Sequence, residues 1–185
     1  MKPFEQIYEL TERIGSQVLF SRAESRLYYD MLCTLPHYAN VLEIGCKYGR
    51  STSILAQVAK EKEFSIDLVD NYREDDSRQA IMDCMAMLVD VGVSFTLHRK
   101  RSDEMPFIKN FHLVLIDGGH DYKIVRGDLW MFEPMLKYGT KIVCHDYRRD
   151  SLPDVTRAID EFLVACPYYV KYRQAETLVV LRRER

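Results

Sequence analysis

The sequence lacks several features that would each define a class of protein. None of its five cysteines belongs to a Cys-x-x-Cys pair, so neither a disulfide framework nor a zinc site is indicated. No apolar run is long enough to cross a membrane, and the start, Met1 to Glu5, does not resemble a signal peptide. We therefore expect reduced thiols, a cytoplasmic location and no membrane partner.

An excess of charge of one sign is also lacking. The 26 basic and 28 acidic residues leave a formal net charge of −2, which gives no general attraction to nucleic acid. Two short basic runs, at 98–101 and 182–183, are typical of solvated strand ends. With 47% hydrophobic and 29% charged residues, the composition is that of an ordinary folded protein rather than a disordered one.

The chain shows no internal repeat, low-complexity stretch or linker. Residues 1–185 are therefore predicted to form one domain, with helices over 1–37 and a cofactor-binding core over 38–185. Apolar residues recur at helical spacing over Phe4–Val18 and Leu27–Leu35, which predicts two N-terminal helices.

From residue 38 onward, short apolar segments alternate with amphipathic helical patterns. Strands are predicted at 41–44, 64–69, 94–98, 111–116, 141–144, 168–173 and 177–181. Alternation of strand and helix favours a parallel sheet, and the last two strands favour a hairpin. The predicted fold class is α/β: a doubly wound, Rossmann-like, mostly parallel seven-stranded sheet with a C-terminal antiparallel hairpin and two N-terminal helices.

The segment Val41–Thr52, VLEIGCKYGRST, has the pattern of a strand, a glycine turn and a helix start. Ser51 and Thr52 offer capping chemistry for that helix, and open α/β sheets bind ligands at this carboxyl edge. A dinucleotide loop would need glycine at Lys47, and no Gly-Lys-Ser/Thr triplet of a Walker loop follows. The pattern E-x-G-x-x-x-G-x-S/T instead resembles motif I of class I methyltransferases that use S-adenosylmethionine, which has no phosphate. The alternative is a structural turn without ligand.

Asp70 closes the second predicted strand, beside the glycine-loop strand. A carboxylate there can accept both hydroxyls of a ribose; the alternative is an Asp that caps the following turn. Arg101 and Ser102 follow the third strand, where class I methyltransferases usually contact adenine.

Two clusters of acidic and imidazole side chains follow the next strands. They are IDGGHDY (116–122) and CHDY (144–147), which place Asp117, His120, His145 and Asp146 at one sheet edge. Such groups would repel or desolvate one another unless a cation or a substrate proton intervened. Asp117, His145 and Asp146 are the predicted metal ligands, for Mg²⁺ or Mn²⁺, and His120 is the candidate general base. Each residue alone has an alternative, as a turn cap or a surface histidine.

Taken in order over residues 38–165, these motifs resemble the small-molecule O-methyltransferase group, which includes the macrocin and cephalosporin-cluster methyltransferase-like proteins. The group is more distantly similar to catechol O-methyltransferases. The resemblance implies a class I methyltransferase fold, S-adenosylmethionine as cofactor and often a divalent metal. It implies catalytic roles for His120, Asp117 and Asp146. The predicted cofactor-binding residues are Glu43, Gly45, Cys46, Tyr48, Gly49, Ser51, Asp70, Asn71, Arg101, Ser102 and Asp117.

One departure from the group is visible. Several metal-dependent relatives have two adjacent acids after the fifth strand, whereas this chain has His145-Asp146. The chain also has little between its strands to build a substrate lid, so acceptor recognition is expected from the N-terminal helices, mobile loops or a partner subunit of a homodimer.

The predicted function is methyl transfer from S-adenosylmethionine to a hydroxyl of a small-molecule acceptor, in which a divalent metal on Asp117 and Asp146 would lower the pKa of that hydroxyl. One alternative is an S-adenosylmethionine- or nucleotide-binding protein without transferase activity. Another is a metal-dependent hydroxylase or hydrolase on the same fold, in which His120, His145 and Asp146 would hold iron. Nucleic acid is not an expected partner, since the charge is near neutral and no Asn/Asp-Pro-Pro-aromatic motif is present.

Overall fold

A computed structural model describes residues 2–11, 20–72, 77–105 and 109–184. The helices are α1 (Phe4–Thr11), α2 (Arg22–Cys33), α3 (Arg50–Lys62), α4 (Ser77–Val91), α5 (Tyr122–Phe132) and α6 (Pro153–Ala165). The strands are β1 (Asn40–Ile44), β2 (Ser65–Val69), β3 (Phe95–His98), β4 (Leu113–Ile116), β5 (Lys141–Cys144), β6 (Tyr169–Ala175) and β7 (Leu178–Arg183). The part of the first predicted helix over 12–19 lies outside the described residues.

The seven strands form one sheet in the order β3-β2-β1-β4-β5-β7-β6. The first five run parallel to one another, and β7 is antiparallel to both β5 and β6. The predicted fold class is therefore confirmed. Because β1 to β5 are parallel, the loops that follow them all emerge at one edge of the sheet.

The central strands are apolar because helices cover both of their faces. Successive side chains of a strand point to opposite faces: Leu113 and Leu115 pack with α1 to α4, whereas Val114 and Ile116 pack with α5 and α6. Strands buried on both faces have continuous apolar runs rather than alternating ones. In the described part of the chain, no helix is both long and apolar enough to cross a membrane.

Helix α3 begins differently from the prediction. Its N-cap is Gly49, which has a φ of 88° and provides no side-chain cap. The hydroxyls of Ser51 and Thr52 do not cap the helix but donate to the Glu43 carboxylate. The predicted capping role of Ser51 and Thr52 is therefore wrong, because a buried acid on β1 competes for their hydroxyls.

Two other elements are shorter than predicted. Helix α5 ends at Phe132 and continues as a 3₁₀ turn over Glu133–Met135, because Pro134 lacks the N–H that an α-helix needs. Strand β4 begins at Leu113, two residues later than predicted.

Candidate functional site

A cavity of about 400 Å³ lies at the carboxyl edge of the sheet, between the loops after β1 to β5. Its size is within the range of small-molecule sites. Most of the predicted cofactor-binding residues line it: Gly45, Cys46, Tyr48, Ser51, Asp70, Asn71, Arg101, Ser102 and Asp117. Glu43 and Gly49 do not line it. His120, His145 and Asp146 lie in the same wall.

Gly45 allows the loops after β1 and β4 to touch. Its φ is 85°, and a Cβ atom at this position would lie 2.1 Å from the backbone oxygen of Asp117. Any larger residue would push the two loops apart, since backbone atoms cannot give way as a flexible side chain can. The glycine is therefore required by a close backbone approach as well as by its left-handed conformation.

Glu43 lies behind the cavity and is fully buried. One carboxylate oxygen accepts hydrogen bonds from Ser51 and, at 3.1 Å, from Thr52, while the other has no hydrogen-bond partner. Burial raises the pKa of Glu43 to about 8. The structure therefore places this residue as an anchor for the start of α3 rather than in contact with a ligand.

Asp70 has the turn-capping role, one of the two that the sequence left open, and it also lies where a ligand could reach it. Its Oδ2 accepts from the Lys47 backbone N–H at 2.8 Å, and its Oδ1 accepts from that of Tyr72 at 2.9 Å. The carboxylate thus caps its own turn and lines the cavity. Lys47 and Tyr72 adopt φ angles of 36° and 47°, which are costly for residues with a side chain. Each Asp70 oxygen retains a lone pair for a ligand hydroxyl.

Cys46 is buried, and its Sγ lies 3.1 Å from the hydroxyl of Tyr72. Contact with Cys84, together with burial, raises the pKa of the Cys46 thiol well above its usual value. A neutral thiol is a poor nucleophile, so the residue shapes the loop rather than reacting.

Asp128, on α5, is a residue of the cavity wall that the sequence did not reveal. This buried side chain lines the cavity and accepts a hydrogen bond from Ser102 through Oδ1, while Oδ2 has no hydrogen-bond partner. Burial raises the pKa of Asp128 to about 6. An acid between Val125 and Leu129, on the buried stripe of an amphipathic helix, was the signal that could have revealed it. Arg101, by contrast, pairs with Asp103 at 2.7 Å on the surface.

On another side of the cavity, four of the residues that line it and the more deeply placed Glu24 surround His145, and the six charged residues are here called the acid–imidazole cluster. They are Glu24, Asp117, His120, His145, Asp146 and Arg149. The buried His145 ring lies at its centre, with Nδ1 3.0 Å from Asp117 Oδ1 and 3.4 Å from Asp146 Oδ2. Its Nε2 lies 3.4 Å from Glu24 Oε2. One imidazole therefore faces three carboxylates.

Asp146 joins the buried part of this cluster to its exposed part. Its Oδ1 accepts from Arg149 at 2.7 Å, and its Oδ2 lies 2.9 Å from Nε2 of His120. Its φ of 59° is a left-handed conformation, which Asp tolerates better than most residues. The His120 side chain is 49% exposed, so it is accessible to a substrate.

Burial and these contacts shift the pKa values of the cluster, and in Asp117 burial prevails over the contact with His145 and raises the pKa. Burial alone would lower the pKa of His145, but Asp117, Asp146 and Glu24 raise it to about 12. Burial alone would raise the pKa of Asp146, but His120, His145 and Arg149 hold it well below its usual value. The hydrogen bond to Asp146 raises the pKa of His120, against a smaller opposing effect of burial. At neutral pH these shifts favour a protonated His145 and an ionised Asp146.

The N-terminal region supplies two further residues that the sequence analysis did not identify. Glu24, on α2, accepts from the backbone N–H of Ser21 and from that of Thr177 at 3.0 Å. These contacts, together with His145, lower the pKa of Glu24 to about 2, although burial acts in the opposite direction. The ring of Phe20 stacks on His145 with 4.9 Å between centroids. Ser21 to Glu24 has a capping-box pattern, which predicts a helix start and gives no sign of a site.

The predicted metal set of Asp117, His145 and Asp146 stays a prediction, and the structure brings together a set that shares two of its three residues. Among the described residues, the ligand atoms that lie within 4.8 Å of one another belong to Asp117, His120 and Asp146. Both oxygens of Asp146 already contact nitrogen atoms, of Arg149 and His120. His145 turns Nδ1 towards Asp117, and a nitrogen that donates a proton cannot coordinate a metal. The cluster contains its own cations, so we derive no step through a metal.

The sequence matches a family model described as a methyltransferase domain over residues 42–147, which is more than half of the chain. The chain therefore belongs to this family. Its fold and family are those of S-adenosylmethionine-dependent methyltransferases. No curated protein sequence matches the chain at a significant level.

Solved structures of methyltransferases share the fold. The S-adenosylhomocysteine-bound PaMTH1 methyltransferase of Podospora anserina has 16% identity and a TM-score of 0.70, over 98% of this chain and 87% of that one. The O-methyltransferase TomG of Streptomyces achromogenes, in complex with S-adenosylmethionine, has 14% identity and a TM-score of 0.66, over 98% and 87%. An rRNA methylase of Streptococcus thermophilus has 14% identity and a TM-score of 0.66, over 90% and 99%. These likenesses extend over nearly the whole chain.

Proposed function

We propose that this protein transfers the methyl group of S-adenosylmethionine to a hydroxyl of a small-molecule acceptor. The observation that carries the proposal is the pair formed by His120 Nε2 and Asp146 Oδ2, 2.9 Å apart, in the wall of the cavity that also holds Asp70 and the glycine loop. When bound, S-adenosylmethionine supplies an electrophilic methyl group on a sulfonium.

The cavity contains groups that match this cofactor. Asp70 is fixed by two backbone N–H groups and retains acceptor capacity for the two ribose hydroxyls. The buried Asp128 Oδ2 lacks a hydrogen-bond partner, and an amino group such as that of adenine would supply one. Gly45 removes the side chain that would otherwise separate the loops after β1 and β4.

His120 acts as the general base in this proposal. Because Asp146 is ionised, the ring hydrogen of His120 lies on Nε2, which leaves Nδ1 as the acceptor for a proton. The hydroxyl proton of the acceptor passes to Nδ1 while its oxygen bonds to the methyl carbon and the carbon–sulfur bond breaks. Asp146 stabilises the imidazolium that forms, and His120 returns the proton to water.

A small acceptor is favoured by the size and charge of the site. A cavity of about 400 Å³ shared with the cofactor leaves room for a compact molecule. The net charge of −2 gives no general attraction to a polyanion. The predicted Mg²⁺ or Mn²⁺ has no part in the proposal, since Asp146 contacts Arg149 and His120 through both of its oxygens.

The test combines calorimetry with a transfer assay. S-adenosylhomocysteine is titrated into the protein, and transfer of labelled methyl to a panel of phenols, catechols and sugars is measured with and without a chelator. His120→Gln should lower turnover by about 10²- to 10⁴-fold, the usual contribution of a general base, without changing S-adenosylhomocysteine affinity. The control is His37→Gln, because His37 is exposed and outside the cavity.

Each outcome decides between the functions under consideration. Binding without transfer to any member of the panel would favour a binding protein. Absence of binding would overturn the cofactor assignment. Loss of turnover with the chelator, restored by Mg²⁺, would show that the reaction depends on a metal.

A further inference from the structure

Helix α4 is apolar on two opposite faces. One face packs into the core through Ala80, Cys84 and Leu88, each at most 1% exposed. The opposite face carries Met82, which is 58% exposed, and Val89, which is 68% exposed. A helix that is apolar all round is normally buried on every side. The composition of α4 therefore indicates that a further surface covers its outer face.

The outer apolar side chains of α4 form one continuous row along the helix. This row, here called the α4 stripe, consists of Met82, Met85, Ala86 and Val89. Their spacings of three and four residues place them on one helix face. A single exposed apolar side chain is normal, as at Val164 of α6, where Asp160 and Glu161 stand one turn earlier. A contiguous apolar patch instead marks an interaction site.

The apolar surface continues from α4 onto the edge of the sheet. Strand β3 is the outermost strand on this side, and its side chains Phe95 and Leu97 are half-buried on the sheet face that α4 covers. One helix face is smaller than the roughly 800 Å² that each partner buries in a stable interface. We therefore expect the edge of β3 to contribute, and the association to reverse on dilution.

The charges at the two ends of α4 are of the wrong sign for a single helix. Arg78 lies in the first turn and Asp90 in the last turn, and both are exposed. A helix carries partial positive charge at its N-terminus and partial negative charge at its C-terminus, so each side chain is repelled by its own helix end. Neither forms an ion pair within the part of the chain that the structure describes.

A second, antiparallel copy of α4 would reverse both repulsions. It brings Arg78 towards the partner's Asp90 and towards the negative end of the partner helix, and the same contact recurs by symmetry. The surface is thus complementary to itself, as a two-fold interface between identical chains requires.

We propose that the α4 stripe is the contact surface of a homodimer, in which two α4 helices pack antiparallel about a two-fold axis near Ala86. A membrane surface matches this face less well, because α4 carries two acidic residues and one basic residue and membrane-surface helices are rich in Lys and Arg. The unbranched Met side chains of the stripe can adapt to a partner surface. On its other face, α4 contributes Ala80 to the cavity wall, so the dimer contact supports the helix that builds part of the site.

The first experiment measures the dimer dissociation constant of the full chain by analytical ultracentrifugation over a range of micromolar concentrations. Met82→Glu places one carboxylate from each copy in the apolar contact, so it should raise the dissociation constant by at least about 10-fold. Val164→Glu is the matched control, because it adds the same charge at an exposed apolar position of α6. It should leave the dissociation constant unchanged.

A charge exchange tests the antiparallel arrangement. Arg78→Glu and Asp90→Lys should each raise the dissociation constant by about 2- to 30-fold, because two symmetry-related charge pairs are lost. The double variant restores both pairs and should return towards the wild type. Each single change also gives α4 an end charge that suits its own dipole, so thermal denaturation should show no loss of folding stability.

A cross-link tests the position of the axis. Ala86→Cys places a thiol near the two-fold axis, so mild oxidation should join two chains through a disulfide. Val164→Cys is the control and should stay unlinked under the same oxidation. Four of the five native cysteines are buried, which keeps the background of this assay low.

These outcomes decide the proposal independently of the methyl-transfer reaction. Dissociation by Met82→Glu, together with rescue in the double charge variant, supports it. A wild type that is monomeric at every concentration overturns it, and so does a dimer that Met82→Glu leaves intact or that Val164→Glu dissociates. A double charge variant as weak as the single ones overturns the antiparallel arrangement. A monomeric wild type that binds anionic lipid vesicles through Met82 would assign the stripe to a membrane and overturn the homodimer.

Discussion

The two sides of the cavity differ in how their buried charges are neutralised. On the side proposed to bind the cofactor, here called the cofactor side, no acid in the described part of the chain pairs with Arg50, and Asp128 Oδ2 has no hydrogen-bond partner. In the acid–imidazole cluster, every charged group lies within 3.4 Å of an opposite charge. Under the proposed function, the protein itself organises the groups that move the proton, whereas the cofactor completes the other side. The unpaired buried groups of the cofactor side lower the stability of the ligand-free protein, and a bound ligand that pairs with them would restore that stability.

The largest effect on turnover is expected from a substitution in the acid–imidazole cluster. Asp146→Asn removes the anion that orients His120, so turnover should fall by about 10²- to 10⁴-fold, while cofactor affinity changes little. Steady-state kinetics and S-adenosylhomocysteine calorimetry measure the two quantities. Asp150→Asn serves as control, since Asp150 is exposed in the same loop. Equal losses of turnover and affinity would show that the two sides are not separable.

The converse change tests the cofactor side. Asp70→Ala removes the acceptor for the Lys47 and Tyr72 backbone N–H groups and the acceptor proposed for the ribose. Cofactor affinity should fall by about 10- to 100-fold, and turnover at saturating cofactor should remain near that of the wild type. Asp70→Asn, which keeps one carbonyl acceptor, should lose less. A turnover defect at saturation would contradict the assignment of Asp70 to binding.

The smallest effect concerns the stability that the cluster contributes. Glu24 has its pKa lowered to about 2 in the folded protein, against an ordinary value of 4.5. An acid whose pKa is lowered in the folded protein stabilises the fold at pH values above its unfolded-state pKa. This stabilisation is lost as the pH falls through the folded-state pKa. His145 stays protonated in this window, because its pKa is raised to about 12.

The measurement for this prediction is denaturant unfolding of Glu24→Gln and of the wild type. At pH 7 the variant should be less stable by about 1–3 kcal/mol, the cost of losing a buried charged hydrogen-bond acceptor. The difference should shrink as the pH falls from 4.5 towards 2. A difference that is independent of pH would mean that Glu24 contributes packing rather than charge.

The sequence could predict the site residues that follow strands better than those that lie on helices. Asp70, Asp117 and Asp146 directly follow parallel strands, and parallel topology alone brings such positions to one edge. His120 follows Asp117 closely enough to share that position. The cofactor loop after β1 was predicted for the same reason.

The residues that the sequence did not reveal lie on or next to helices. Phe20, Arg50 and Asp128 line the cavity, and Glu24 contacts His145 behind it, only because of the way in which α2, α3 and α5 pack on the sheet. Helical periodicity tells which face of a helix is buried but not what that face meets. His145 was predicted as a metal ligand because its position was known and its surroundings were not: Glu24 comes from a helix 121 positions earlier in the chain. A homodimer and a cytoplasmic location stay predictions.

The hydrogen bond from Thr177 to Glu24 joins residues 153 positions apart. Thr177 lies in the turn between β6 and β7, and β7 inserts between β5 and β6 to complete the sheet. A ribosome must therefore release the chain beyond Thr177 before the support of His145 is in place. Contacts this distant in sequence slow folding, so the acid–imidazole cluster should assemble later than the parallel part of the sheet.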